Sequence, residues 1–155
     1  MAHPQIAAFA RSANGAAEPR RSIAGQNSLI TRTIHDMAYN EVRDEIVVPQ
    51  FMTFAILTFA GGANGNVAPS RILEGPDTQL GASALAVDSI HNLLIAVGNP
   101  GGGGPNRNTR ILMFNRTASG NTKPQRVIVG PKTKLATTGG PFTIYAPKGR
   151  ILVPI

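Results

Sequence analysis

The chain has 155 residues, of which 42% are apolar and only 15% are charged, and it contains no cysteine. This length suits one domain with a sizeable core, and the missing cysteine excludes disulfide scaffolds, thiol nucleophiles, iron–sulfur clusters and cysteine-ligated zinc. The formal net charge of +7 permits an anionic partner, although a solvated basic surface explains the same balance. Seventeen glycines and twelve prolines indicate many turns.

The sequence gives no sign of a targeting or membrane segment. No basic stretch followed by an apolar stretch stands at its beginning, so no signal peptide is predicted. The mostly apolar residues 46–60 are too few to span a bilayer. We therefore expect a soluble chain without a membrane span, and we assign it no compartment.

Three segments of the chain align without gaps over most of their length. They begin at Ile6, Ile56 and Ile111, and in each one a proline follows a phenylalanine after ten residues. Because internal periodicity of this kind is typical of repeat architectures, it is the main signal in the sequence. The shared frame consists of a Phe, a Gly, a Pro, an Arg and a second Gly: Phe9, Phe59 and Phe114; Gly15, Gly65 and Gly120; Pro19, Pro69 and Pro124; Arg21, Arg71 and Arg126; Gly25, Gly75 and Gly130.

A second frame lies between these segments and begins at Met37, Leu85 and Phe142. Together the two frames give each period four short apolar runs, which in the middle copy are residues 84–87, 93–97, 110–115 and 125–129. Runs of this length that are rich in Val, Ile and Phe favour strands, and the repeated prolines would interrupt a helix. Four strands in a unit of about fifty residues are typical of a β-propeller blade.

The pattern AxGNxxPxRxIxGPxTxL, followed by an apolar strand, an Asp and a second apolar strand, resembles the NHL-type repeat of six-bladed propellers. Residues 116–121 and 130–133 carry the closest match, whereas the first copy has Gln26, Asn27 and Ser28 in place of Pro-x-Thr. The resemblance implies an all-β fold with blades of four antiparallel strands. It says little about function, because the family includes sensors, nucleic-acid binders, scaffolds, lyases and hydrolases.

The repeat frame divides the single domain into unequal parts. Residues 1–30 supply the third and fourth strands of a blade, residues 31–80 and 81–135 are whole blades, and residues 136–155 supply a first and a second strand. Three blades are fewer than the four to eight of propellers, and two open sheet edges would attract other chains. We expect a homodimer that closes a six-bladed ring, with a fragment of a longer propeller as the alternative.

Residues that occur once in every copy are expected to serve the fold. The phenylalanines should pack between neighbouring blades, the glycines should supply turn conformations, and the prolines should begin the outermost strand. The arginines of the frame should lie on outer strands and point away from one another, so they are not expected to form an anion site.

The remaining candidates for function are few. His35 and Asp36 stand where a channel mouth is expected and are the candidate metal ligands, although neighbours on a strand point to opposite faces. Arg32, Arg107 and Arg110 are candidates for contact with an anionic ligand, the last two beside the glycine-rich segment 98–105. No catalytic residue is assigned, and a divalent cation is the only cofactor considered.

Three classes of function are compatible with these residues. We favour a non-catalytic binding or scaffold propeller that presents the loops of one face to a protein or an anionic ligand. The first alternative is a metal-assisted lyase or hydrolase with its site at the channel mouth. The second is electrostatic, sequence-independent binding of RNA or another polyanion, because the few aromatic residues do not suit base stacking.

Overall fold

The computed structural model describes residues 4–32, 34–100, 108–135 and 141–154. The protein is all-β, as the sequence predicts, and its helical content consists of three-residue 3₁₀ turns at 26–28, 76–78, 131–133 and 146–148. The strands, in chain order, are β1 (Gln5–Ala8), β2 (Arg21–Ala24), β3 (Ala38–Asn40), β4 (Glu45–Gln50), β5 (Ala55–Ala60), β6 (Arg71–Leu73), β7 (Ala82–Asp88), β8 (Leu93–Gly98), β9 (Arg110–Asn115), β10 (Arg126–Ile128), β11 (Thr143–Tyr145) and β12 (Arg150–Leu152).

These strands form four antiparallel sheets that follow one another along the chain. Sheet 1 pairs β1 with β2, sheet 2 has the order β3-β4-β5-β6, sheet 3 has the order β7-β8-β9-β10, and sheet 4 pairs β11 with β12. The four runs predicted for the middle copy are β7 to β10, with ends that differ by at most two residues. The described residues form no closed barrel or ring.

Each sheet packs against the next through an apolar face. Strand residues alternate between the two faces of a sheet, so neighbouring residues of β4 and β5 serve two different interfaces. Phe59 on β5 packs with Ile6 and Ile23 of sheet 1. Phe114 on β9 packs in the same way with Ile56 of sheet 2. A third cluster joins the other face of sheet 3 to sheet 4.

The first phenylalanine of the repeat frame differs from the other two. Phe59 and Phe114 are fully buried, as expected, whereas Phe9 is 57% exposed. Ile6 on β1 faces sheet 2, and Phe9, an odd number of residues further on, points to the opposite side. No described sheet covers that side of sheet 1, so the expected packing of Phe9 is not present among the described residues.

The Gly-Pro-x-Thr part of the frame forms a 3₁₀ turn after the last strand of a sheet. Gly75 has φ +126°, and the hydroxyl of Thr78 donates to its carbonyl at 2.6 Å. The same hydroxyl accepts the N–H of Leu80 at 3.3 Å. Thr133 and Ser28 make equivalent bonds, so the first copy keeps the hydroxyl although it lacks Pro-x-Thr.

The other repeated glycine joins consecutive sheets. Gly65, with φ +77°, donates to the carbonyl of Ser22 at 2.7 Å and accepts from Ala24 at 3.1 Å. Gly120 forms the corresponding bridge to β6. Gly15 has the same left-handed conformation but lies on the uncovered side of sheet 1. These loops therefore reach backward and tie each four-stranded sheet to the one before it.

The repeated prolines and arginines lie at the last strand of sheets 1, 2 and 3. Each proline stands two residues before that strand, and the following residue makes the first hydrogen bond to the neighbouring strand; Ser70, for example, donates to the carbonyl of Thr58 at 2.7 Å. Each arginine is the first residue of its strand: Arg21 of β2, Arg71 of β6 and Arg126 of β10.

Candidate functional site

The turn between β4 and β5 carries an apolar surface that the repeat does not explain. Met52 is 65% exposed and Phe54 is 44% exposed. The ring of Phe51 meets that of Phe54 edge to face, with centroids 6.5 Å apart, and it meets the ring of His35 in the same way at 6.3 Å. The four-residue turn 51–54 is therefore an ordered aromatic surface, which we call the aromatic turn.

The backbone of the aromatic turn is unusual. Phe54 has φ +55°, a left-handed conformation that costs about 1–3 kcal/mol for a residue other than glycine. The other described non-glycine residues with positive φ occupy corresponding positions of the two frames: Leu29, Gln79 and Lys134; Asp44 and Asn92. Phe54 has no such counterpart among the residues that the structure describes. The counterpart of this turn in sheet 3 is the glycine-rich segment, most of which lies outside the described residues.

A buried glutamine anchors the aromatic turn to the segment that precedes sheet 2. Gln50, the last residue of β4, is almost fully buried. Its Oε1 accepts hydrogen bonds from the backbone N–H and the hydroxyl of Thr31, at 2.7 and 2.8 Å. Its Nε2 has no hydrogen-bond partner among the described residues. The turn is thus held at its base while its tip is open to solvent.

The two candidate metal ligands have structural contacts. Asp36 accepts the N–H of Met37 at 2.8 Å through one carboxylate oxygen and the N–H of Leu85 at 3.0 Å through the other. His35 packs against Phe51. Within residues 4–32, 34–100, 108–135 and 141–154, no three His, Asp or Glu side chains are grouped so that they could hold a metal.

Of the three candidate arginines, Arg32 and Arg110 lie in the described part of the chain. Arg32 is exposed, and Arg110 donates to Oε1 of Gln79 at 2.9 Å. Arg107 lies outside the described residues. An anion site built from these arginines therefore stays a prediction.

A partly buried ionic cluster between sheets 2 and 3 was not predicted from the sequence. The carboxylate of Glu45 accepts from Arg71 at 2.7 Å, from Arg116 at 2.9 Å and from Nδ2 of Asn40 at 3.2 Å. Arg116 also donates through Nε to Asn92 at 3.1 Å. The hydrogen bond from Arg71 outweighs the opposing effect of burial, so the pKa of Glu45 lies below its ordinary value. This cluster locks sheet 3 to sheet 2.

In sheet 3 the position that corresponds to Asn40 is occupied by Asp88. Its carboxylate accepts the N–H groups of Ile90 and His91, at 3.0 and 2.9 Å, and contacts Nδ1 of His91 at 2.8 Å. Burial acts to raise the pKa of Asp88, but the hydrogen bonds from His91 and Ile90 hold that pKa below its ordinary value. Asp88 and His91 line a cleft of about 480 Å³ that Arg126 also borders and that lies between sheets 3 and 4.

The sequence offered partial signals for these sites. The aromatic turn replaces a glycine-rich connection with Phe-Met-Thr-Phe, and this break in the repeat marks it. Asp88 and His91 stand three residues apart in a predicted turn. Glu45 gave no signal, because its partner Arg116 is 71 residues away.

The chain matches no protein-family model and no curated protein sequence. Among the described residues, no helix has the length and apolar character that a membrane crossing requires. The resemblance to the NHL-type repeat therefore depends on the residues of the two frames.

Proposed function

We propose that the protein is a non-catalytic scaffold of the NHL-like propeller type, in which two copies of the chain close a six-bladed ring and present the aromatic turn to a protein partner. Sheets 2 and 3 have the four strands, in simple up-and-down order, that such blades require. In the repeat frame, sheet 4 corresponds to the first two strands of a blade and sheet 1 to the last two. Sheet 4 of one copy and sheet 1 of the other would thus complete one blade.

The burial of equivalent residues supports this closure. Leu73 on β6 is 2% exposed because Phe114 and sheet 3 cover it, whereas its counterpart Ile128 on β10 is 38% exposed. Phe9 is the exposed member of its own set. In the closed ring, Phe9 of the second copy would cover Ile128, as Phe114 covers Leu73. The two uncovered surfaces are therefore complementary.

The existing sheets predict the register of the new strand pair. Ile46 of β4 pairs with Phe59 of β5, and Leu94 of β8 pairs with Phe114 of β9. By the same frame, β12 would pair with β1 of the second copy, so that Leu152 lies opposite Ala8. An open depression of about 650 Å³ is lined by residues around the start of β11 and the end of β12, among them Leu152.

The absence of cysteine allows this register to be tested directly. The variant Ala8→Cys/Leu152→Cys should form a disulfide-linked dimer on oxidation, since directly opposite residues on antiparallel strands lie within disulfide range. The matched control is Ala8→Cys/Thr143→Cys, because Thr143 lies opposite Leu152 on β11, one strand further away. Light scattering of the unmodified chain should give the mass of two chains. A folded monomer at micromolar concentration, or equal cross-linking in both variants, would refute the closure.

The aromatic turn is the observation that carries the binding function. The left-handed conformation of Phe54 and the exposure of Met52 do not stabilise the blade, which favours a role for them outside it. Strained backbone of this kind is concentrated at functional sites, and exposed apolar surface marks interaction sites. Because the site offers apolar and aromatic contacts, we expect a protein partner with a matching apolar surface.

A pair of matched variants tests this role. Met52→Ser/Phe54→Asn removes the apolar tip, and asparagine tolerates the left-handed conformation at residue 54. Val42→Ser/Ile90→Ser removes similarly exposed apolar residues from the turns at the other end of sheets 2 and 3. In affinity capture from native extracts, the first variant should lose the partners that the second retains. Equal retention by the two variants would show that the aromatic turn is not the binding surface.

A further inference from the structure

The ionic cluster between sheets 2 and 3 provides a reference for the two contacts that ring closure would create. Arg116 follows β9 of sheet 3 and reaches back to Glu45 at the start of β4 in sheet 2. Its side chain is 6% exposed and that of Glu45 is 14% exposed. A cation from the later sheet thus meets an anion from the earlier sheet at a fixed place in the repeat.

The repeat frame identifies the residues at that place in the other copies. The position of Arg71 is an arginine in every copy, whereas three other positions of the cluster differ in charge between the copies. The counterparts, in chain order, are Arg11, Gly61 and Arg116 at the start of the loop after the third strand; Glu45, Leu93 and Arg150 at the start of the second strand; Asn40, Asp88 and Tyr145 at the end of the first strand.

At the junction of sheet 3 with the completed blade, the carboxylate stands at a different position of the repeat than it does in the reference cluster. Leu93 replaces the glutamate of the reference cluster, but Asp88 replaces the neighbouring asparagine and is almost fully buried. Asp88 and Leu93 lie directly opposite one another and line the cleft between sheets 3 and 4. Arg11 of the second copy would enter this cleft as Arg116 enters the reference cluster.

At the junction of the completed blade with sheet 2 of the second copy, the signs are reversed. Arg150 stands where the reference cluster has Glu45, and Gly61 stands where it has Arg116. The space that a side chain at Gly61 would occupy is filled by the carboxylate of Asp44, which also accepts the hydroxyl of Tyr39. The carboxylate of Asp44 thus lies at the place to which the repeat frame would bring Arg150 of the other copy.

We infer that two reciprocal ion pairs specify closure of the ring: Arg11 with Asp88 of the other copy, and Arg150 with Asp44 of the other copy. This inference depends on the dimer proposed above. Each pair occurs twice in a two-fold dimer. Other arrangements of the sheets would lack both ion pairs, which disfavours them.

Two double-mutant cycles test the pairs with substitutions that the repeat itself shows to be tolerated. Asp88→Asn keeps an acceptor for the turn and reproduces Asn40 of the preceding copy, and Asp44→Asn reproduces Asn92 in the same left-handed conformation. Arg11→Gln and Arg150→Gln remove the cations. The dissociation constant of each dimer is measured by sedimentation of dye-labelled chain, and circular dichroism at the same dilution reports whether the chain stays folded.

Each single substitution should raise the dissociation constant about tenfold or more, because it leaves a partner charge uncompensated. The double variant Arg11→Gln/Asp88→Asn should be no more than about threefold weaker than its weaker parent, since both substitutions remove the same interaction. The cross-combination Arg11→Gln/Asp44→Asn is the control and should show the product of the two single effects.

The possible outcomes separate this inference from the proposal beneath it. Strong coupling within each pair and independence across pairs supports both. If the wild type is a dimer but the two substitutions of each pair act as independently as those of the control, the ion pairs are overturned and the ring is left intact. A wild-type monomer at micromolar concentration overturns the ring and the pairs together.

Discussion

The ionic cluster at Glu45 allows a quantitative prediction about how sheets 2 and 3 are held together. Glu45→Gln keeps the shape of the side chain and one acceptor oxygen but removes the charge that faces Arg71 and Arg116. Arg116 is almost fully buried, so it would be left without its counter-ion. Removal of one partner from a buried pair costs about 3–5 kcal/mol, and the acceptor that remains places the expected loss of unfolding free energy near the lower figure.

Urea unfolding of Glu45→Gln and of the matched control Glu41→Gln measures this loss. Glu41 is exposed and has no ion pair in the described part of the chain, so its substitution should change the unfolding free energy by less than about 0.5 kcal/mol. Equal effects of the two substitutions at neutral pH would refute the assignment of Glu45 as the link between the sheets.

The pH dependence of the same two proteins provides a second check. The pKa of Glu45 is lower in the folded protein than its ordinary value of 4.5, so ionised Glu45 favours the folded state. This contribution is fully present above pH 4.5 and is lost as the pH falls through the lower pKa of the folded state. The stability curves of wild type and Glu45→Gln should therefore converge in acid, and a constant difference would contradict the mechanism.

Three further predictions concern the packing and turns of the repeat. Phe59→Ala should lower the unfolding free energy by about 3–5 kcal/mol, measured by urea unfolding, because the ring is fully buried between two sheets; a loss below about 1 kcal/mol would contradict this packing. Gly75→Ala should lower the unfolding free energy by about 1–3 kcal/mol, because φ is +126° and a Cβ would lie 2.5 Å from an oxygen of the next sheet. This loss should lower the thermal midpoint, whereas the control Gly62→Ala, where nothing lies nearby, should leave the midpoint nearly unchanged. Thr78→Val should lower the unfolding free energy by about 1–3 kcal/mol, because the hydroxyl loses its two hydrogen bonds. An unchanged thermal midpoint would show that the hydroxyl does not stabilise the turn.

The strands could be predicted from the sequence because their signals are local. The apolar runs are short, and Pro124, Gly120 and Gly130 mark the turns around them at fixed offsets. The burial of equivalent residues could not be predicted from one copy, because Phe9 and Phe114 have the same local pattern and differ only in whether a sheet covers them. Glu45 and Arg116 meet only after two sheets have packed, so no local pattern reveals their contact. The strain at Phe54 depends on backbone conformation, which the composition of a four-residue turn does not determine.

The loop glycines Gly65 and Gly120 give separate hydrogen-exchange signals for two junctions, that of sheet 1 with sheet 2 and that of sheet 2 with sheet 3. The amide of Gly65 is bonded to the carbonyl of Ser22 in another sheet, whereas the amides inside β5 are bonded within their own sheet. Separation of sheets 1 and 2 would expose the first amide and leave the second group protected. Hydrogen exchange at Gly65 and Gly120 therefore reports on sub-global opening between neighbouring units, and exchange inside β5 and β9 reports on unfolding of the units themselves.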